Sequence, residues 1–141
     1  MKLYSLSKNE RLTREKAILS LFSTGKSLFI FPVRLVYIAV EEDSIPDRAQ
    51  AAFSVPKKRF KRAVKRNLLK RRMREAYRLI KPRIYDELGQ MNKKATFMLI
   101  YAGSEELSFS EISSSIQLLL EDMVKRMKNE KIIDRPTDIA H

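Results

Sequence analysis

The residues with the clearest chemical potential lie between 57 and 83, KKRFKRAVKRNLLKRRMREAYRLIKPR, which gathers 14 of the chain's 29 Lys and Arg residues. Glu75 is the only acid in that run. Such side chains bind anions: Arg offers a planar fork matched to phosphate, and Lys a mobile point charge. A solvent-facing helix normally interleaves its cations with Glu and Asp, whose i,i+4 attraction offsets repulsion. Here the repulsion is almost unrelieved, which favours a bound polyanion over mere solubility. Other chemistries are scarce. The chain has no Cys and its only His is His141, so a thiolate nucleophile, a disulfide framework, a structural zinc site and a His-centred triad all lack their residues. An oxygen-ligand metal site stays open.

The run reads as one helix sorted into two faces. At roughly 100° per residue, Leu69, Met73, Ala76 and Ile80 form an apolar stripe flanked by Leu68, Leu79 and Tyr77. Asn67, Lys70, Arg71, Arg74, Arg78 and Lys81 gather on the other side. The first face belongs against a sheet; the second faces the anion. A membrane fits poorly, because the chain lacks Trp, Phe60 is the only Phe of this segment, and the apolar stripe is needed for packing. No stretch reaches the roughly 20 apolar residues that span a bilayer, and the N-terminus has no apolar h-region. A cytoplasmic protein without membrane contact is expected.

The elements that must position this helix can be read in order. At 141 residues, 44% hydrophobic and formal net charge +12, the chain fits one domain with its own core and a strong pull on phosphate polymers. Residues 1–11 read as a flexible basic arm, 12–127 as the domain and 128–141 as a flexible tail. Thr13 and Gly25 bracket a first helix over 13–24. FPVRLVYIAV, 31–40, is a strand with two apolar faces: Val33, Leu35, Tyr37 and Ala39 on one, Arg34, Val36, Ile38 and Val40 on the other. A polar loop over 41–48 leads to a second strand, 49–55, and a short hairpin is the economical pairing of the two. Pro82 is expected to kink the basic helix or to start a second short helix through Leu88. A third strand, 95–101, precedes a helix capped by Ser108 or Ser110 that runs to about 127. The order α-β-β-α-β-α predicts an α/β fold, a two-layer α-β sandwich. A rigid basic surface on such a scaffold suits RNA shape and backbone better than base reading in DNA.

SVPKKRFKRAVKRNLLKRRMREAYR also resembles the hallmark segment of the bacterial ribonuclease P protein component. Arg66 and Asn67 match the opening of that family's arginine-asparagine-arginine signature, and Ala63 and Val64 match its apolar lead-in. Lys70, Arg71, Arg74, Glu75 and Ala76 continue the pattern, while Leu68 stands where the second Arg usually lies. Leu12, Phe22 and Gly25 match the family's first helix and its stop. The resemblance implies a left-handed β-α-β crossover around the signature helix and a protein subunit that assists a catalytic RNA in removing the 5′ leader of precursor tRNA. It implies no catalytic residue on the protein, Mg²⁺ bound mainly by the RNA partner, and a protein monomer within a 1:1 ribonucleoprotein. The RNA-binding residues expected are Arg62, Lys65, Arg66, Asn67, Lys70, Arg71, Arg74 and Arg78. A leader-binding cleft is expected from Phe22, Tyr37, Lys57 and Lys58, with the aromatics stacking on unpaired nucleotides. Phe22 and Tyr37 also suit core positions, and exposure on one concave face separates the two roles. The alternative is a non-catalytic structural or ribosome-associated RNA-binding protein.

Overall fold

The β-branched and aromatic content around residues 26–40 and 94–101 builds the sheet on which everything else rests. In the computed structural model, which describes residues 6–40 and 43–130, the strands are β1 (Lys26–Ile30), β2 (Val33–Val40), β3 (Ala49–Ser54) and β4 (Lys94–Tyr101). Their spatial order is β1-β2-β4-β3. β1 and β2 form an antiparallel hairpin, β2 and β4 are antiparallel, and β3 runs parallel to β4. The helices are α1 (Glu15–Thr24), α2 (Ala63–Gln90) and α3 (Phe109–Asn129). The basic helix α2 is therefore the crossover between two adjacent parallel strands.

This topology corrects the expected pairing of β2 with β3. β4 lies between them because it is apolar on both faces, with Ala95 to Leu99 all buried, whereas β3 carries Gln50 and Ser54 and suits an edge. β2 takes its hairpin partner from β1, a strand the sequence reading did not assign. Its five residues alternate between exposed and half-buried, so it lacks the continuous apolar run that marks β2 and β4.

The two faces of the sheet are covered differently. Val33, Leu35, Tyr37, Ala51, Phe97, Leu99 and Tyr101 point toward α2 and α3, joining Leu69, Met73, Tyr77, Ile84, Ile112, Ile116 and Leu120 in the main core. Residues of the opposite parity, Val36 and Met98, form a smaller cluster with Leu12 and Leu21 beneath α1. The sandwich of sheet and two long helices thus carries α1 as a partial layer on its other side. Gly25 permits that seating: a Cβ there would lie 2.3 Å from the Leu21 carbonyl oxygen and 3.1 Å from that of Tyr37, so α1 ends in close contact with β2.

α2 passes through Pro82 as one helix of 28 residues, so no second helix begins there. An interior proline costs about 3 kcal/mol or more through its missing N–H and ring clash. Ile80, Ile84 and Leu88 are buried on either side of it, and at about 1.5–3 kcal/mol per buried aliphatic side chain their packing outweighs that cost. The helix stops two residues later than Leu88. Asn92 adopts φ 54°, while the N–H groups of Asn92 and Lys93 donate to the carbonyls of Gly89 (3.1 Å) and Leu88 (3.0 Å), an αL termination in which Asn takes the usual place of Gly. At the next helix, Ser108 caps α3 by accepting from the Glu111 N–H at 3.2 Å.

Of the expected N-terminal arm over 1–11, residues 6–11 lie against β3 and α2; residues 1–5 lie outside the described part. Lys8–Glu10 form a 3₁₀ turn, Arg11 bridges to Ala51 on the outer edge of β3, and the Leu12 N–H donates to the Ala51 carbonyl at 2.9 Å. Glu10 anchors this strap. Its buried carboxylate accepts from Tyr85 Oη (2.6 Å), Lys81 Nζ (2.9 Å) and the Ser7 N–H (2.9 Å). A polar anchor of this strength is invisible to a hydrophobic periodicity. α3 continues through Asn129; residues 131–141, most of the expected tail, lie outside the described part.

Candidate RNA interface

The bases of α2 divide into those already held by the protein and those left to solvent. Lys81 is bound to Glu10, Arg83 to Glu121 at 2.7 Å, and Arg78 to Glu75 with Nε at 2.9 Å from Oε2. Arg72 donates to the Leu107 carbonyl at 2.7 Å and pairs with Glu106 at 3.1 Å, tying α2 to the start of α3. Lys65 reaches the same Glu106 at 2.8 Å, and its hydrogen bond holds the exposed Glu106 carboxyl below the usual carboxylate range. Arg66 turns back and donates to the carbonyls of Phe60 and Lys61, both at 2.8 Å. It braces the loop that leads into the helix.

What remains forms the candidate surface. Arg62, Asn67, Arg71 and Arg74 are exposed and Lys70 is half-exposed, and none of the five side chains has a hydrogen bond or ion pair to another described residue. Lys57, Lys58, Arg59 and Lys61 stand exposed on the braced loop between β3 and α2. Unpaired bases of this kind keep their full charge for an incoming phosphate, because no internal bond must be broken first. Of the eight RNA-binding residues expected from the sequence, Arg62, Asn67, Lys70, Arg71 and Arg74 are thus presented freely. Lys65, Arg66 and Arg78 have internal partners. Of the carboxylates that make this division, Glu75 is local to α2, whereas Glu10, Glu106 and Glu121 come from distant segments, and no local sequence signal pairs those three with α2.

Of the four expected cleft residues, three are exposed and Tyr37 is buried. Phe22, on α1, is 57% exposed, which excludes the core role it also suited. Lys57 and Lys58 are exposed. Tyr37 is 1% exposed and belongs to the main core on the α2 and α3 side of the sheet, with Oη donating to Glu130 at 3.2 Å. Burial, reinforced by the Glu130 charge, pushes its phenol up to about 12. Tyr37 is therefore removed from the cleft. The parity of β2 decides this, since Val36 and Ile38, not Tyr37, face α1. Phe29 and Phe31 are also exposed, at 49% and 61%, a pair the sequence reading passed over.

A mixed sheet backed by two helices, with a long helix presenting unpaired Arg and Lys, has the features of the RNA-binding class of protein. Comparison with known proteins narrows the class. A profile of the family Ribonuclease P matches residues 6–124. The chain is 38% identical over 114 residues to the ribonuclease P protein component of Porphyromonas gingivalis, covering 81% of this chain and 82% of that one. It is 31% identical over 130 residues to the component from Chlorobium phaeobacteroides, covering 91% and 89%. Among solved structures, the RNase P protein from Thermotoga maritima superposes with a TM-score of 0.62 at 25% identity, covering 80% of this chain and 96% of that one. The Staphylococcus aureus RNase P protein gives 0.66 at 20% identity over 81% and 94%, a likeness of fold. The chain belongs to the bacterial ribonuclease P protein family, as the protein subunit of a ribonucleoprotein enzyme that assists RNA-based cleavage of precursor tRNA.

Family membership implies association with ribonuclease P RNA and precursor tRNA, and is consistent with Mg²⁺-dependent catalysis. Among the described residues no group of three or more His, Cys, Asp or Glu side chains is placed to hold a metal ion. Among the same residues, no helix is long and apolar enough to cross a membrane.

Proposed function

We propose that the two faces of this subunit divide the substrate and the catalytic RNA between them. Arg62, Asn67, Lys70, Arg71 and Arg74 on α2 contact the phosphate backbone of the catalytic RNA. Lys65 and Arg78 add to the field around that surface from their ion pairs, and Arg66 sets the loop on which Lys57 and Lys58 approach phosphate. The exposed Phe22 flank of α1 stacks on the single-stranded 5′ leader of precursor tRNA. Mg²⁺ is held mainly by the RNA partner, where it orients water and stabilises developing charge on the phosphodiester. The protein works as a single domain and as a monomer in a 1:1 complex, a state favoured by the mutual repulsion of chains carrying net charge +12.

The observation that carries this reading is the division of bases on α2. Carboxylates, most of them from elsewhere in the chain, and loop carbonyls hold the bases that pack the fold and leave the others unpaired. The decisive experiment is reconstitution with a matched ribonuclease P RNA at low Mg²⁺. The full chain should restore precursor-tRNA processing, and a protein with Arg71→Gln and Arg74→Gln should do so only at higher protein concentration. Equal stimulation by both proteins across the titration would remove α2 from the RNA contact.

A further inference from the structure

Three of the chain's seven phenylalanines are exposed, and all three fall between residues 22 and 31. One exposed ring is ordinary, but such a group in a small domain marks a contact surface. Phe29 is on β1 and pairs with Arg34 of β2. Both lie on the α1 side of the sheet, to judge from the parity that sends Leu28, Ile30, Val33 and Leu35 to the other core. The Arg34 guanidinium carbon stands 5.2 Å from the Phe29 ring centroid, and Nη1 donates to Ser27 Oγ at 3.3 Å. Ring and guanidinium thus form a fixed, two-part platform. Phe31, the first residue of the β1–β2 turn, stands exposed beside it.

The chemistry around the platform selects its occupant. Besides Phe29 and Arg34, the strand residues on this side are Ser27, Val36, Ile38, Val40, Gln50, Ala52, Ser54, Lys94, Thr96, Met98 and Ile100. None is acidic. The flank is largely apolar with the cations Arg34 and Lys94, and α1 covers its Val36, Ile38, Ala52, Met98 and Ile100 part, leaving the Phe29–Arg34 end open. Aromatic faces beside an Arg suit unpaired bases, which stack on the ring while the guanidinium takes a phosphate or a second base face. β1 is also an outer strand with one unpaired edge, but a second copy of this strongly basic chain is repelled from it.

We propose that Phe29, Arg34 and Phe31 form an accessory stacking subsite for single-stranded RNA, which extends the path of the precursor-tRNA leader from Phe22 on α1 to the β1 edge. This inference rests on the reading of the Phe22 flank as the leader site. The test uses holoenzyme assembled from the full chain and a matched catalytic RNA, with precursor tRNAs carrying no leader, a short leader or a long leader. Phe29→Ala should weaken binding of the long-leader substrate about 5- to 10-fold, the value of one base stacked on an aromatic ring, and leave the leaderless tRNA unchanged. Phe29→Trp should retain affinity and Phe29→Leu should not. A benzoylphenylalanine photocrosslinker at position 29 should capture leader nucleotides. Equal penalties on all three substrates, no penalty, or rescue by Leu overturns the subsite. Phe22→Ala run in parallel separates the two claims. Leader dependence lost with Phe22→Ala alone overturns the accessory subsite only, and leader dependence unaltered by either variant overturns the leader site itself. A concentration-dependent dimer that Phe29→Ala abolishes also overturns it, assigning the surface to a second copy.

Discussion

Glu10→Gln isolates the anchor that fastens the N-terminal strap to α2. Burial by itself would raise the Glu10 carboxyl, but hydrogen bonds from Tyr85, Lys81 and the Ser7 N–H, together with the Lys81 charge, hold it down at about 2. Its ordinary value is 4.5, and at about 1.4 kcal/mol per tenfold change in proton affinity the difference corresponds to about 3 kcal/mol favouring the folded state. The sign follows from the depressed folded value. This stability is fully present above the unfolded value near 4.5 and is lost as pH falls through the folded value near 2. Gln keeps an acceptor and the shape but removes the charge opposite Lys81. Urea denaturation should therefore find the variant about 2–3 kcal/mol less stable at pH 7. At pH 3 linkage leaves only about 1.4 kcal/mol of the carboxylate's contribution, about 2 kcal/mol less than at pH 7, so most of the gap between the two proteins should close. A gap that stays constant from pH 7 to pH 3 would refute the electrostatic account and reduce Glu10 to a packing residue.

Two further outcomes test the division of surfaces. Arg71→Gln and Arg74→Gln should each lower the salt slope of binding to the catalytic RNA by about one, with urea midpoints unchanged because neither side chain bonds to a described residue. Tyr37→Ala should cost about 3–5 kcal/mol of stability through the cavity it leaves in the main core. Its effect on binding should be the same for tRNA with and without a leader, whereas Phe22→Ala should scarcely move stability and should discriminate between them.

Periodicity and composition were enough to find the long basic helix, its apolar stripe and the strands β2, β3 and β4, and to narrow the α3 cap to Ser108 or Ser110, because each is fixed by side chains close in sequence. The same local reading led to the Arg66–Asn67 signature and hence to the family. It failed where the deciding partner was remote. β4 separates β2 from β3 because central position in a sheet is settled by which strand best buries both faces. Pro82 leaves α2 whole because packing on both sides exceeds the local cost. Tyr37 shares its strand with residues that do face α1, and only the assembled sheet assigns its parity to the main core.

The sequence alone therefore determined that this protein carries a concentrated, one-sided positive charge and binds RNA, since charge and helical spacing survive any arrangement of the rest. Tertiary structure decided which of those charges are available. Carboxylates at positions 10, 106 and 121 reach α2 only after the chain has folded back on itself. An ion pair depends on distance in space, and separation along the chain carries no record of it.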